Sequence, residues 1–484
     1  MPLKRHDGQL TTFGRVNMKW LVPCAKKTIA AALIVTVWAG SKSVFTRPIK
    51  EQLTGDFTAK VNAVLEPVYK PDTPGAAVIV VKDGQTVFRK AYGIASLEFA
   101  VTLKPEMVFR LASITKQFTA TAIMMLVDQH KLSVNDDITK FVPNYPTGGK
   151  KITVENLLTH SSGIKDYSEI LWPQRMCQDF DIENLIEVFE NEGLSFTPGT
   201  REAYSNSNYV LLGAIIERVS GKSYADFIEE NIFKVLGMNH SFYERPQRII
   251  PNRVSGYAKG RDGFVNAPFI SVTQLYAAGA LMSSVDDLEL WDAALSSDKL
   301  ISSTSKQRMF LPHQLSDGTS GTYGYGWNIE QLEGHLLAAH GGGINGFSNY
   351  VLRMPQDHLY IAILSNDRTA EVQPEYLAKQ IALIAIGKSV AEPRVLELAS
   401  QILETYVGQY QLEPNYILTV SRQDNRLFAQ GTGEPRFELF PVSETDFVVK
   451  INDAQFTFMK DERGKITRLK IHQGGQDNIV PKIH

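Results

Sequence analysis

The sequence predicts an α/β protein, in which an α/β sandwich with a mainly helical insertion is followed by a small all-β barrel domain. Three observations lead to this prediction. A two-strand hairpin pattern lies at residues 76–92, and helical patterns dominate from about 115 to 300. Strand patterns return at 338–364, and short strands then recur at regular spacing from residue 406 onward.

Bulk composition narrows the classes of function. The chain has 484 residues, of which 43% are hydrophobic, and this is enough for more than one domain and a large core. A formal net charge of −2, together with the lack of a long basic run, gives no electrostatic basis for binding nucleic acid. The sequence therefore predicts a globular protein with no nucleic-acid partner.

Residues 1–39 have the pattern of a signal peptide. Two lysines precede the apolar run 28–39, which is too short for a comfortable membrane span and ends in an acceptable cleavage site. We therefore expect a secreted or periplasmic protein. The alternative is an uncleaved signal that anchors the chain in the inner membrane, facing the periplasm, and Met18 is an alternative start to Met1.

Composition shifts divide the rest of the chain. We expect a polar tether at 40–55, the α/β domain at 56–390, a linker at 391–400 and the barrel domain at 401–484. Cleavage of the signal would leave Cys177 as the one cysteine, which we expect to be a packed thiol.

The α/β domain begins with the expected hairpin. A buried strand at 76–81 is followed by an Asp-Gly turn and a second strand at 86–92. Within the helical block, the clearest further helices are expected at 209–219 and 224–235. The returning strands are expected at 338–340, 346–354 and 359–364.

The C-terminal segment has the sequence pattern of an all-β domain. Short strands separated by turns at a spacing of about ten residues are typical of a small barrel or sandwich. The expected strands are 406–411, 416–421, 426–430, 436–441, 446–450, 455–460 and 467–472.

Ser113 and Lys116 lie one helical turn apart at the start of a predicted helix, before an apolar run from Phe118 to Val127. Residues i and i+3 share a helix face, so the amine can reach the hydroxyl. A serine hydroxyl becomes a strong nucleophile when a neighbouring group removes its proton. The Ser-x-x-Lys pattern occurs at three other places without such a context, so Ser113 is the candidate nucleophile and Lys116 its activating base.

Tyr204 and Asn206 form a second candidate group. A phenol held beside a lysine ammonium can have a lowered pKa and act as a general base. Asn206 can form hydrogen bonds with the Lys116 amine and with a substrate amide. The alternative is a turn whose tyrosine packs on the core.

A His-Gly-Gly-Gly run contains the third group, His340, Gly342 and Gly343. Glycines allow a backbone to approach a ligand closely, and their N–H groups can stabilise an oxyanion. The N–H of Ser113, at a helix N-terminus, is a second oxyanion donor. His340 can bind a substrate carboxylate or the Tyr204 oxygen, and the alternative is a glycine-rich turn with a surface histidine.

The other histidines give weaker signals. His160 lies beside two serines, and nothing in the sequence orders it toward a second catalytic group, so we expect a structural hydrogen-bonding role. The remaining histidines lack the spacing of zinc ligands. We therefore expect no metal and no cofactor.

Three motifs follow one another in a fixed order along the chain: Ser113-x-x-Lys116, Tyr204-x-Asn206 and His340-x-Gly342. Together they resemble those of the serine beta-lactamase/penicillin-recognising superfamily, and within it the branch of class C beta-lactamases, family VIII carboxylesterases and D-aminopeptidases. The resemblance covers roughly residues 55–390 and implies a beta-lactamase-like α/β sandwich, with an antiparallel sheet, helices and a mainly helical subdomain. The tail is similar to the lipocalin-like domains appended to some members.

The resemblance also implies a mechanism. Ser113 would attack a carbonyl to form an acyl-enzyme, with Lys116 and Tyr204 moving the proton. The N–H groups of Ser113 and Gly343 would hold the oxyanion, and Asn206 would position the substrate. The implied protein is a serine hydrolase with a small-molecule ester, amide or peptide as its partner.

His340 departs from the pattern of the related enzymes, which place a lysine there as a permanent cation for the substrate carboxylate. A histidine that is largely neutral near pH 7 is a weaker anion anchor. We therefore expect carboxylic esters or D-amino-acid-type amides as substrates. The alternatives are a true class C-like beta-lactamase or D,D-peptidase, and a non-catalytic binding or scaffold protein. The oligomeric state is left open.

Overall fold

The computed structural model describes residues 49–388, 395–413, 416–432, 436–449, 454–473 and 476–484. The expected signal peptide, 1–39, lies outside these residues. The first helix begins at Ile49, inside the stretch expected to be a tether, so the chain is already helical before residue 56.

Helices make up most of the middle of the chain. In order, they are α1 (Ile49–Leu65), α2 (Thr115–Asp128), α3 (Val154–Leu158), α4 (Tyr167–Leu171), α5 (Ile182–Glu190), α6 (Asn206–Ser220), α7 (Tyr224–Ile228), α8 (Lys234–Leu236), α9 (Tyr276–Gly279), α10 (Val285–Leu295), α11 (Ser303–Met309), α12 (Pro374–Ala385) and α13 (Ser400–Tyr406). The helix expected at 224–235 consists of α7, a π-helical turn (Glu229–Phe233) and α8 in succession.

The strands of the α/β domain belong to one large sheet and three small ones. In order, they are β1 (Ala76–Lys82), β2 (Gln85–Tyr92), β3 (Ile94–Ser96), β4 (Val101–Thr102), β5 (Phe109–Arg110), β6 (Phe242–Tyr243), β7 (Tyr257–Gly260), β8 (Gly263–Asn266), β9 (Leu281–Ser283), β10 (Asn328–Leu332), β11 (His335–Ile344), β12 (Phe347–Met354) and β13 (Leu359–Ser365). The large sheet is antiparallel throughout, in the order β10-β11-β12-β13-β1-β2.

This sheet is buried on both faces, which confirms the predicted α/β sandwich. Along β1, Ala77 and Ile79 face the core of the helical block, whereas Val78 and Val80 face the core that includes α1 and α12. Both faces are covered, so β1 is a continuous apolar run rather than an alternating one. The predicted hairpin is present as β1 and β2, which pair on either side of Asp83-Gly84.

The C-terminal domain is an eight-stranded antiparallel barrel that is nearly closed. Its strands are β14 (Gly408–Glu413), β15 (Tyr416–Gln423), β16 (Arg426–Gly431), β17 (Phe437–Pro441), β18 (Asp446–Val448), β19 (Gln455–Lys460), β20 (Ile466–Gln473) and β21 (Gln476–Pro481). The sequence predicts seven of them. The first begins at Gly408 rather than at Tyr406, which ends α13, and β21 is additional.

Aromatic side chains fill the barrel interior. Tyr406 stacks on Phe458 with ring centroids 4.4 Å apart, and Phe447 meets the same ring edge-on at 5.3 Å. Tyr410 and Phe456 belong to the same buried cluster. The domain therefore has a packed core of its own.

Two further features concern the surface. In the part of the chain that the structure describes, no helix combines the length and apolarity needed to cross a bilayer. Cys177 is exposed, so the expectation of a packed thiol is wrong; its Sγ lies 3.4 Å from the carbonyl oxygen of Phe269.

Candidate active site

Ser113 lies in a tight 3-10 turn (Ala112–Ile114) that leads directly into α2. The preceding residue, Ala112, has φ = +50°, a backbone conformation that L-residues with a Cβ rarely adopt. The chain entering the turn is held by a hydrogen bond from the N–H of Leu111 to the carbonyl oxygen of Leu281, 2.9 Å long. Ser113, which follows the strained residue Ala112, is half-buried.

Lys116 is fully buried on the first turn of α2. Its Nζ lies 3.2 Å from Ser113 Oγ, 2.8 Å from Asn206 Oδ1 and 3.0 Å from the carbonyl oxygen of Ala278. Burial disfavours the charged amine and lowers the pKa of Lys116 to about 7, although the carboxylate of Asp166 opposes this change. A substantial fraction of the amine is therefore neutral near pH 7 and able to accept a proton.

Tyr204 donates a hydrogen bond from its hydroxyl to Ser113 Oγ at 2.9 Å. Tyr204 is 46% exposed, and the Lys116 amine lies over its ring, 4.8 Å from the centroid. Loss of water around the hydroxyl raises the pKa of Tyr204 well above its usual range, despite the opposing hydrogen bond to Ser113. The expectation of a lowered phenol pKa is therefore wrong, and Tyr204 is a neutral phenol.

Asn206 is the first residue of α6 and forms the hydrogen bond with Lys116 that the sequence predicts. Its orientation is set by Asp166, which caps α4. Asp166 Oδ2 accepts from the Asn206 main-chain N–H at 3.0 Å and from its side-chain Nδ2 at 2.8 Å. Because the Asn206 Nδ2 group is bound to Asp166, the side chain presents its oxygen, Oδ1, to Lys116.

His340 lies on β11 and is buried rather than on the surface. Its Nδ1 donates to the carbonyl oxygen of Gly341 at 2.6 Å, and its Nε2 accepts from the hydroxyl of Tyr323 at 2.8 Å. Burial, reinforced by the nearby Lys116, lowers the pKa of His340 to about 3. The imidazole is therefore neutral, and its two nitrogens bind Gly341 and Tyr323 rather than Tyr204, whose ring centroid is 6.3 Å away.

Gly342 and Gly343 bring β11 close to the Ser113 turn. A Cβ on Gly342 would lie 2.1 Å from the carbonyl oxygen of Leu111, so only glycine fits at this position. Gly343 is exposed, and the guanidinium of Arg368 packs over it, with its atoms 3.3–3.4 Å from the place a Cβ would occupy. The strand thus runs past the turn with Gly342 buried and Gly343 exposed.

The structure therefore brings Ser113, Lys116, Tyr204 and Asn206 together, with the glycines of β11 packed against the same turn. Sequence reasoning missed two residues. Asp166 has the signal of a helix N-cap, but its contact with Asn206 is formed across forty residues of chain. Tyr323 lies in a Tyr-Gly-Tyr-Gly-Trp stretch that predicts no specific partner.

The described residues hold no group of three or more His, Cys, Asp or Glu side chains that could bind a metal ion. The chemistry of the cluster is that of a hydroxyl, an amine, a phenol and amides.

A serine beside a buried, weakly basic amine, on an antiparallel α/β sandwich, defines a serine hydrolase. A family model described as Beta-lactamase matches residues 56–386, and the chain belongs to this family. A second model, described as a domain of unknown function (DUF3471), matches residues 392–480, the region of the barrel.

Individual proteins agree with this assignment. Penicillin-binding protein 4* of Bacillus subtilis (strain 168) is 30% identical over 427 residues, which cover 83% of this chain and 94% of that protein. The octameric penicillin-binding protein homologue from Pyrococcus abyssi superposes with a TM-score of 0.62 at 26% identity, covering 89% of this chain and 99% of that one. A D-stereospecific amidohydrolase from Streptomyces sp. superposes with a TM-score of 0.55 at 26% identity, covering 64% of this chain and 95% of that one.

Proposed function

We propose that the protein hydrolyses carboxylic esters or D-amino-acid-type amides through an acyl-enzyme on Ser113. The observation that carries this proposal is the Lys116 amine, 3.2 Å from Ser113 Oγ, whose pKa of about 7 allows it to accept a proton near neutral pH. A non-catalytic binding protein would gain nothing from a buried amine of this kind, since burying a charge without need costs stability.

The proposed reaction has two halves. Ser113 Oγ attacks the substrate carbonyl carbon while neutral Lys116 takes the hydroxyl proton, and the main-chain N–H groups of Ser113 and Gly343 bind the oxyanion. The C–O or C–N bond then breaks, and the leaving alcohol or amine receives a proton relayed by the Tyr204 hydroxyl. Water attacks the acyl-enzyme by the reverse path, releasing the acid and restoring Ser113.

The neutral His340 supports the proposed substrate class. With both ring nitrogens bound within the protein and a pKa of about 3, it offers no cation to a substrate carboxylate. Esters and amides without a carboxylate next to the reacting carbonyl therefore suit the site better. The likeness to a D-stereospecific amidohydrolase supports D-configured amides within this class.

One observation favours a second candidate, a beta-lactamase or D,D-peptidase acting on a carboxylate-bearing substrate. The Arg368 guanidinium lies against Gly343, and among the described residues no carboxylate forms an ion pair with it. Partial burial lowers the pKa of Arg368, yet an arginine stays charged in proteins. It could bind a substrate carboxylate in place of the lysine that His340 replaces.

A substrate panel separates the two candidates. The purified protein, Ser113→Ala, Arg368→Gln and the exposed-arginine control Arg261→Gln are assayed on a p-nitrophenyl ester, D- and L-alanyl p-nitroanilides and nitrocefin. We expect turnover of the ester and the D-anilide, reduced about 10³-fold or more in Ser113→Ala. Fast nitrocefin turnover that Ser113→Ala and Arg368→Gln lower, but the control Arg261→Gln does not, would favour the second candidate. Equal turnover by Ser113→Ala would contradict both.

We also propose that the protein is secreted or periplasmic. The apolar run 28–39 behind two lysines supports export.

A further inference from the structure

Tyr204 occupies a position that its own segment does not stabilise. Residues 201–205 have no regular secondary structure, and Tyr204 is 46% exposed. Its hydroxyl is nevertheless held 2.9 Å from Ser113 Oγ. A half-exposed side chain on an irregular segment samples many positions unless its neighbours restrain it. The restraint must therefore come from residues packed around Tyr204.

His160 contacts Tyr204 and both of its neighbours in the chain. The main-chain carbonyl oxygen of His160 accepts a hydrogen bond from the N–H of Ala203 at 2.9 Å. Its Nδ1 accepts one from the N–H of Ser205 at 3.2 Å. Between these two bonds, the imidazole packs on the Tyr204 ring, with centroids 4.4 Å apart. The main chain of Tyr204 is thus bracketed, and its ring is supported from one side.

His160 is itself held firmly. It is 1% exposed, and its backbone has φ = +55°, in the left-handed region. Asn208 Nδ2 lies 3.1 Å from His160 Nδ1, and the rings of Tyr209 and Tyr323 pack on its imidazole at 5.2 and 4.6 Å. A side chain fixed on all sides can hold a neighbour in place.

The protonation of His160 follows from these contacts. Two N–H donors face Nδ1, so the proton of the neutral imidazole is on Nε2. Nε2 is buried and has no partner among the residues that the structure describes. Burial, with smaller effects from nearby Lys116 and His340, keeps the pKa of His160 far below its usual value, so the ring stays neutral. A phenylalanine would avoid the cost of the unpaired N–H, but it would lose the acceptor at Nδ1.

We propose that His160 is a positioning residue that holds the Tyr204 hydroxyl at Ser113, through its Nδ1 acceptor and its ring. Among the described residues, its hydrogen bonds and ring contacts include Tyr204 and the neighbours of Tyr204 but not Ser113, so we assign its effect to Tyr204. This inference rests on the proposed function, because it assigns His160 to the proton path of that same site.

A double-mutant cycle tests the proposal. The variants are His160→Phe, Tyr204→Phe and the pair, with kcat and KM measured on the p-nitrophenyl ester that the protein turns over. His160→Phe keeps a ring but removes the acceptor, so the Tyr204 hydroxyl loses its fixed position. We expect kcat to fall about 10- to 100-fold with KM nearly unchanged. In the Tyr204→Phe background, the same substitution should change kcat less than about twofold.

Two further variants control for structure. His160→Asn places an amide oxygen near the position of Nδ1 and tolerates the left-handed backbone, so it should recover part of the activity lost in His160→Phe. His335→Phe changes a half-exposed histidine on β11 that binds Asp357, and it should leave kcat unchanged. If His160→Phe does not fold, the cycle with His160→Asn decides, since its loss must also vanish in Tyr204→Phe.

The outcomes separate this inference from the proposed function. Equal losses from His160→Phe with and without the Tyr204 hydroxyl would overturn the positioning role and leave the proposed function intact. No loss in Tyr204→Phe, or full activity in Ser113→Ala, would instead contradict the proposed function.

Discussion

At the scale of single residues, the site depends on a lysine that the fold prevents from being a strong base. Lys116 is surrounded by the hydroxyl of Ser113, the amide oxygen of Asn206 and the carbonyl oxygen of Ala278. As a neutral amine it can donate to the last two and accept the proton of the first. Tyr204, with a raised pKa, cannot start the reaction as a phenolate near neutral pH, and we therefore propose that it relays a proton.

The pKa of Lys116 gives a prediction about pH. Because the amine must be neutral to accept the Ser113 proton, the rate of acylation should rise as pH increases through about 7 and then level off. His340, with a pKa of about 3, should add no transition between pH 5 and 9. Stopped-flow measurement of p-nitrophenol release between pH 5 and 9 checks this. A rate that falls over this range would contradict the assignment of Lys116 as base.

The same pKa affects stability. The unfolded chain binds its lysine proton up to about pH 10.4, whereas the folded state releases it near pH 7, so the unfolding free energy rises with pH between these values. At pH 6 the folded protein bears the full cost of the buried charge. We expect Lys116→Met to abolish turnover yet raise the unfolding free energy at pH 6 by about 2 kcal/mol, after the lost hydrogen bonds are subtracted.

Urea unfolding at pH 6 and pH 9.5 measures this effect. The increase in unfolding free energy caused by Lys116→Met should be smaller at the higher pH, because most of the wild-type amine is then neutral in the folded state. A gain that grows with pH would have the wrong sign for a lowered lysine pKa.

At the level of residues, the sequence predicts contacts where local spacing decides the outcome. The three-residue step from Ser113 to Lys116 needs only helix geometry. The pKa of Tyr204 depends instead on the loss of water around its hydroxyl, and the positions of Asp166 and His160 depend on contacts between distant segments. The spacing of residues along the sequence carries no information about contacts between distant segments.

At the scale of elements, the site forms where the Ser113 turn meets β11. The close approach of Gly342 to the Leu111 carbonyl oxygen is a backbone contact that no side-chain movement can relieve. The side-chain amide of Asn349 on β12 also donates to the carbonyl oxygen of Arg110 at 2.8 Å, which ties the sheet to the strand before the turn. Turn and strand are thus fitted to each other along their main chains.

A pair of glycine substitutions on β11 tests this fit. In Gly342→Ala the new Cβ would meet the Leu111 oxygen at 2.1 Å, so the strand and the turn must separate. We expect kcat/KM to fall about 100-fold or more, because an oxyanion donor displaced by an ångström loses most of its effect. The matched control is Gly341→Ala, whose Cβ has its nearest contact at 3.7 Å and should be tolerated. Equal activity of the two variants on the p-nitrophenyl ester would contradict the fit.

The sequence predicts the elements that carry strong periodic signals. The Asp-Gly hairpin of β1 and β2 and the buried helix α2 are of this kind. The sequence does not predict strand β10 (Asn328–Leu332), because its mixed sequence, Asn-Ile-Glu-Gln-Leu, gives no strong apolar pattern. Such a sequence is typical of a strand at the edge of a sheet, where one side is exposed. The last barrel strand, β21, contains Gln476, Asp477 and Asn478 and has the composition of a turn; its pairing with β20 decides its structure.

At the scale of the whole molecule, the barrel and the α/β domain each have a core. A cleft of about 1370 Å³ lies between the α1–α12 face and the barrel, lined by residues such as Val64, Tyr376 and Val448. None of the candidate catalytic residues lines it. Among the described residues, no barrel side chain forms a hydrogen bond with Ser113, Lys116 or Tyr204.

This arrangement predicts that ester hydrolysis does not require the barrel. A chain ending at Leu398 should keep kcat/KM on the p-nitrophenyl ester within about twofold, since the α/β domain retains its own core. Circular dichroism controls for folding. A folded but inactive shortened chain would contradict this and assign the barrel a part in catalysis or gating.

The central claim is that Ser113 carries an acyl group during turnover, and intact-protein mass spectrometry tests it most directly. The protein is mixed with an excess of p-nitrophenyl ester, quenched in acid within one turnover, weighed and then digested. We expect a mass increase equal to one acyl group less one hydrogen, located on the peptide that contains Ser113, and no adduct in Ser113→Ala. An adduct on another residue, or undiminished turnover by Ser113→Ala, would contradict the account.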